Sequence, residues 1–164
     1  MLISNTHLIA ALKGEFEGEG LKKEFFLVEL LIAVKSGVDY ITKIGGSDAR
    51  TDIQFLENND VTGVVGPMIE TEFAMRKYME AVKNTSFDHI GVTIESHTAV
   101  KNIEGILDQG PRLTNVTIGR TDLCASFNGK SVESAEVMEM VAHVANIAKG
   151  RGLKTTMGGG ISNI

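Results

Sequence analysis

The chain has 164 residues, of which 43% are hydrophobic and 23% charged, the make-up of an ordinary water-soluble globular protein. Its formal net charge is -5, and its basic residues are scattered, with no run longer than Lys22-Lys23 or Arg76-Lys77, so the basic stripe of a nucleic-acid binder is missing. No apolar run approaches the ~20 residues of a membrane span, and the single cysteine, Cys124, excludes an intrachain disulfide, which fits a cytoplasmic protein.

The N-terminal stretch MLISNTHLIAALKG has no basic segment ahead of its apolar residues, which argues against a secretory leader. Residues 11–16 form the first short apolar run, read as a strand. Residues 21–34 are strongly apolar, with charges at Lys22, Lys23, Glu24 and Glu29, and read as a helix. Residues 40–44 give a second strand, and residues 50–58 fit one more short helix. Residues 61–69 form a third apolar run. Residues 71–82 open at Thr71, a candidate cap, and carry Phe73, Met75, Tyr78, Met79 and Val82 at helical spacings. Residues 90–94 read as a strand and residues 98–107 as a helix with Val100, Ile103, Ile106 and Leu107 on one face. Residues 116–118 are the fifth run. Residues 134–148 form a helix capped by Ser134 and stopped after the basic turn Lys149-Gly150-Arg151-Gly152. Residues 153–157 are the last run and lead into Gly158, Gly159 and Gly160.

The strand-like runs show little alternation, which favours strands buried on both faces, as in parallel sheets. Their C-terminal residues are Phe16, Lys43, Ile69, Glu95, Asp122 and Met157, at steps of 27, 26, 26, 27 and 35 residues. A strand, a helix and two turns need about that length. The pattern is six βα units in one uninterrupted domain, residues 1–164, as an open doubly wound sheet or as part of a (β/α)8 barrel. In both, ligands bind where the strands end.

Parallel strands would bring Lys43, Glu95 and Asp122 to one rim. Two carboxylates on neighbouring strands can hold a hard divalent cation, Mg²⁺ or Mn²⁺. Such a cation can polarise an α-keto acid, Lys43 can add positive charge toward the same oxyanion, and the turn from Gly119 to Asp122 can offer amides to a carboxylate. Asp122 is followed by Leu-Cys-Ala-Ser rather than by an obvious helix, which weakens a capping role for it. Glu70 reads as a first-turn helix residue, His97 as structural, and Cys124 as a small buried side chain. The three glycines at 158 to 160 could cradle a phosphate, which leaves a phosphate-ligand enzyme as a further option.

The segments GVTIESHTAVKNIEGILD and VTIGRTDLCAS resemble the HpcH/HpaI aldolase and citrate lyase β-subunit superfamily, and KGEFEGEG, ITKIGGSDARTDI, VVGPMIETEFAM and TTMGGGIS resemble a branch of it with KIGG motifs. The resemblance implies a (β/α)8 TIM barrel of the phosphoenolpyruvate/pyruvate type, of which about six βα units are present, so that the chain is expected to be a C-terminally truncated member. It implies a metal-dependent lyase or aldolase acting on a pyruvate- or oxaloacetate-like 2-keto acid. Glu95 and Asp122 would be ligands to Mg²⁺ or Mn²⁺, and the amides of Thr121 and Asp122, beside Gly119, would meet the substrate carboxylate. Lys43 falls where other members place an arginine that stabilises the enolate. Arg120 replaces a proline of the commoner motif and would bind an anionic group, while Glu17 and Glu19 would take part in acid–base work. No counterpart of the aldolase histidine is recognisable. The alternative is a non-catalytic or inactive fragment of the fold, acting as a binding or assembly module. Six units leave an open sheet edge, so association into a homo-oligomer is expected.

Overall fold

A computed structural model describes residues 9–16, 22–129 and 131–161. Six parallel strands form one sheet in the order of the chain: β1 (Ala11–Glu15), β2 (Asp39–Lys43), β3 (Gly63–Gly66), β4 (His89–Ile94), β5 (Asn115–Gly119) and β6 (Lys154–Gly158). Every strand pairs with its sequence neighbour, and the sheet curls as an incomplete barrel with helices on its outside. The register puts Glu15 opposite Lys43, Lys43 opposite Val65, Ile94 opposite Ile118, and Gly119 opposite Gly158. All the strands run the same way, so their C-terminal ends share a rim.

The helices are α1 (Lys23–Ser36), α2 (Arg50–Glu57), α3 (Glu72–Ala81), α4 (His97–Lys101), α5 (Ile103–Asp108), α6 (Arg120–Ser126) and α7 (Ala135–Gly150). Their starts reflect local chemistry. Thr71 and Ser134 have extended backbones, and their hydroxyls accept the amides of Ala74 and Val137, as their positions in the sequence predict. Ser96 does the same for Ala99 and opens α4 ahead of the predicted helix start. The core fills the space between sheet and helices with Tyr40, Val64, Ile90, Val92, Ile94, Val116 and Ile118 from the strands and Met75, Tyr78, Ile106, Val137 and Val144 from the helices. None of the described helices is long and apolar enough to cross a membrane.

The structure differs from the expectations of the sequence at four places. The third strand is Gly63–Gly66 rather than 61–69, because Pro67 brings no amide to a ladder and Met68 turns to φ 50. The helix expected over 98–107 is two, with a break at Asn102, whose side-chain amide donates to the Glu70 carbonyl instead of leaving the helix undisturbed. Glu70 precedes the Thr71 cap and so lies outside α3. Residues 120–126 are helical, so Asp122 sits in the first turn of a helix after all.

Candidate functional site

Glu95 lies directly after β4 and is buried, at 4% exposure. A carboxylate so far from water needs donors. One oxygen has two: Oε1 accepts from the Thr93 hydroxyl at 2.6 Å and from the Met68 amide at 3.0 Å. Met68 reaches that position with a left-handed backbone, uncommon for a side chain of its kind, and the hydrogen bond to Glu95 is what the conformation delivers. The other oxygen, Oε2, faces Lys43 Nζ at 3.5 Å. Gly119 of β5 makes room for it: a Cβ there would stand 2.9 Å from Glu95 Cβ and 3.0 Å from Oε2. One oxygen of Glu95 is thus fixed by the protein, and the other is turned toward the rim.

Lys43, at the end of β2, is buried at 6% exposure, and its ammonium donates to Glu15 Oε1 at 3.1 Å. Glu15, opposite it in register, also accepts from Lys13 at 3.2 Å. Burial pushes the Glu15 carboxyl up, but the hydrogen bond from Lys43 and the charge of Lys13 outweigh that and hold it below its ordinary value. With carboxylates on two sides, the Lys43 side chain is held in place at the rim.

Two cavities open at this rim. One, of about 580 Å³, reaches outward past Met68, Glu70, Ser96 and Ser126. The other, of about 170 Å³, reaches toward β5 and β6 along Thr117, Gly119, Thr121 and Gly159. The wall they have in common is Glu15, Lys43, Glu95 and Asp122. Three carboxylates and one ammonium therefore line this wall, with Lys13 in the smaller cavity and Glu70 in the larger. The excess is negative, and an excess of hard oxygen donors favours a divalent cation. Among the described residues no group of three or more His, Cys, Asp or Glu side chains is gathered as a metal site. A pair of carboxylates with open positions suits Mg²⁺, which keeps waters or substrate oxygens in the rest of its shell. The anchoring of Glu95 through Oε1 and the space that Gly119 leaves at Oε2 fit that use.

The other residues singled out in the sequence have varied positions. Gly119 and Thr121 line the smaller cavity with Asp122. The first-turn amides of α6 have no acceptor within their own helix. Gly159, at φ 86, comes so close that a Cβ there would be 2.6 Å from the Thr121 hydroxyl and 2.8 Å from its amide nitrogen. Arg120 lines neither cavity; it is buried, and its Nη2 donates to the Gly159 carbonyl at 2.7 Å. It ties the glycine turn after β6 to the start of α6. Glu17 and Glu19 lie outside the described residues. His97 opens α4 with its ring 5.7 Å from that of Phe127, His89 faces Asp39 at the opposite end of the sheet, and His143 lies on α7, so none of the three lines either cavity. Sequence reasoning missed Glu15. It lies inside the first apolar run, one residue before the end assigned to that run, and only its register with Lys43 distinguishes it from the neighbouring acids.

This architecture has relatives among known proteins. A family model described as HpcH/HpaI aldolase/citrate lyase matches residues 34–157. No protein of curated function matches the sequence. Among solved structures, the HpcH/HpaI aldolase from Desulfitobacterium hafniense DCB-2 is similar with a TM-score of 0.81 at 17% identity, over 96% of this chain and 71% of that one. An HpcH/HpaI aldolase/citrate lyase family protein from Burkholderia cenocepacia J2315 gives 0.79 at 13% identity, over 90% and 70%. The citrate synthase SbnG gives 0.78 at 14%, over 93% and 69%. At these identities the structural likeness speaks for the fold.

Proposed function

Because the chain belongs to the HpcH/HpaI aldolase/citrate lyase family, we propose that it is a divalent-metal-dependent carbon–carbon lyase or aldolase acting on a pyruvate- or oxaloacetate-like 2-keto acid. The observation that supports this reading is the shared wall of the two cavities, which Glu95, Asp122 and Lys43 line together at the rim. Glu95 and Asp122 would hold Mg²⁺ or Mn²⁺, which when bound supplies a Lewis acid for the keto acid's oxygens.

The remaining work belongs to the chain itself. Thr93 and the Met68 amide keep the Glu95 carboxylate from rotating, so Oε2 is presented in one direction. The ammonium of Lys43, pinned by Glu15, places positive charge where the keto oxygen gains negative charge as the adjacent C–C bond breaks or forms. A lysine offers this charge without the planar fork of an arginine, so it tolerates more than one substrate geometry. The amides of Thr121 and Asp122 meet the substrate carboxylate. The larger cavity, of about 580 Å³, holds the rest of the substrate.

The test is calorimetric titration of the folded protein with Mg²⁺ or Mn²⁺, alone and with oxalate or pyruvate. Wild type is expected to bind the metal and to bind the keto acid more tightly in its presence. Glu95→Gln and Asp122→Asn should each weaken metal binding by at least tenfold, with an unchanged far-ultraviolet circular dichroism spectrum. A folded wild type that binds neither metal nor keto acid removes the reading.

A second reading has its own observation: none of the described histidines lines the cavities. It takes the chain as a binding or assembly module that holds metal and keto acid without turning them over. Binding without product across a panel of 4-hydroxy-2-keto acids and acyl-CoA substrates would favour it over the first.

A further inference from the structure

Strand β5 sends Val116 and Ile118 into the core and turns Thr117 and Gly119 toward the smaller cavity. Arg120 continues the core side of that alternation and is 6% exposed. Its guanidinium lies behind the wall whose cavity face is made by Gly119, Thr121 and Asp122. Nη2 donates to the Gly159 carbonyl at 2.7 Å, while Nε is buried without an acceptor among the described residues. No described carboxylate pairs with this cation. A buried charge without a counter-charge is costly, and an anion that binds near it offsets part of that cost.

The turn that Arg120 holds is loose by composition. β6 ends at Gly158 and runs into Gly159 and Gly160, at φ 86 and 61. Glycine loses more conformational freedom on being fixed than any other residue. Gly159 must nonetheless be fixed, because it stands against the first turn of α6: a Cβ on it would be 2.8 Å from the Thr121 amide nitrogen and 3.3 Å from that of Arg120. A turn that drifts toward α6 closes the space over these amides, and one that drifts away lets water onto them.

On the reading that the amides of Thr121 and Asp122 meet the substrate carboxylate, on which this inference rests, we propose that Arg120 is a positioning residue for carboxylate binding. Its hydrogen bond keeps the Gly159 turn at the distance a carboxylate needs, and its unpaired charge favours an anion from behind the cavity wall. Metal binding does not run through it. Glu95 is held by Thr93 and the Met68 amide, and Asp122 by the helical turn of α6.

Calorimetry separates the two kinds of binding. Mg²⁺ is titrated alone, and pyruvate is then titrated at saturating Mg²⁺, into wild type, Arg120→Met and Arg120→Lys. Arg120→Met keeps the apolar stem and removes the donors and the charge, so it should bind Mg²⁺ within about twofold of wild type but pyruvate roughly tenfold more weakly. Arg120→Lys keeps a charge and a single-point donor, and should bind pyruvate only about threefold more weakly than wild type. A purely structural role would lower both affinities together or neither. Wild-type pyruvate affinity in Arg120→Met overturns the proposal, as do equal losses of Mg²⁺ and pyruvate, or an Arg120→Lys variant no better than Arg120→Met. If circular dichroism shows Arg120→Met unfolded, Arg120→Lys decides: weaker pyruvate binding with Mg²⁺ binding kept supports the proposal, and wild-type pyruvate binding overturns it. A wild type that binds no pyruvate removes the functional reading and this inference with it, whereas pyruvate binding indifferent to Arg120 removes the inference alone.

Discussion

Strand β4 is buried along nearly its whole length between β3 and β5, whereas β6, among the described residues, is hydrogen-bonded on one side only and leaves Lys154, Thr156 and Met157 exposed. Both strands carry the same parallel pairing, yet the segments leaving their C-terminal ends are held differently. After β4, Glu95 is gripped from both sides, by the Met68 amide beyond β3 and by the space at Gly119 on β5. After β6, the glycine turn is held from one side, through the Arg120 guanidinium on the Gly159 carbonyl. A side chain can be oriented firmly only where neighbours approach it from more than one direction, and the middle of a curled sheet supplies that. The proposed metal ligands accordingly follow β4 and β5, Lys43 joins them from the end of β2, and β6 contributes backbone.

The largest expected effect is at the centre. Ile94→Ala removes a fully buried side chain and should cost about 2–5 kcal/mol in urea denaturation, with the cavity term included. Gly119→Ala is next. Its new Cβ would press on Glu95, so a loss of about 1–3 kcal/mol in stability is expected, together with weaker metal binding by calorimetry. Unchanged metal affinity would show that Glu95 needs no room at β5.

Glu15 gives a smaller, pH-dependent effect. Its folded-state pKa lies below the ordinary 4.5, so the ionised form is favoured by folding. The resulting stability is present above pH 4.5 and is lost as the pH falls from there through the lowered value. Glu15→Gln should therefore flatten that part of the acid limb in a series of urea midpoints, and an identical limb in the variant would mean that Glu15 is not the group responsible. The smallest effect belongs to the edge. Met157→Ala, 40% exposed, should cost less than about 1 kcal/mol. A cost equal to that of Ile94→Ala would mean that the edge is covered in solution.

Much of this was legible in the chain. Short apolar runs at steps of 26 or 27 residues, and of 35 for the last, dictate βα repetition, because each run must be buried and each intervening stretch has room for a helix with its turns. Thr71 and Ser134 announce their helices through hydroxyls placed three residues ahead of an unpaired amide. Glu95 was legible as a strand-end acid for the same reason of spacing, whereas Asp122, read the same way, lies in the first turn of α6 after β5 has ended at Gly119. The misreadings share a cause. The helix break at Asn102 depends on a carbonyl 32 residues away, at Glu70. The helix at Arg120–Ser126 is short, and its residues Leu123 and Cys124 find their apolar contacts only in the assembled core. Glu15 looks like any of its acidic neighbours until register sets it opposite Lys43.

The sequence alone determined the number of the strands, their common direction and the two acids that follow the fourth and fifth, since hydrophobic period and unit length act locally along the chain, but it left the order of the strands open between a doubly wound sheet and a barrel. The tertiary structure alone decided that Met68 would turn left-handed to hold one oxygen of Glu95, that Gly119 would leave space for the other, and that Glu15 rather than a neighbouring acid would face Lys43. Those are contacts between residues 27 to 28 positions apart or on adjoining strands, and no local pattern encodes them, because they exist only once the curled sheet has brought its strand ends to one rim.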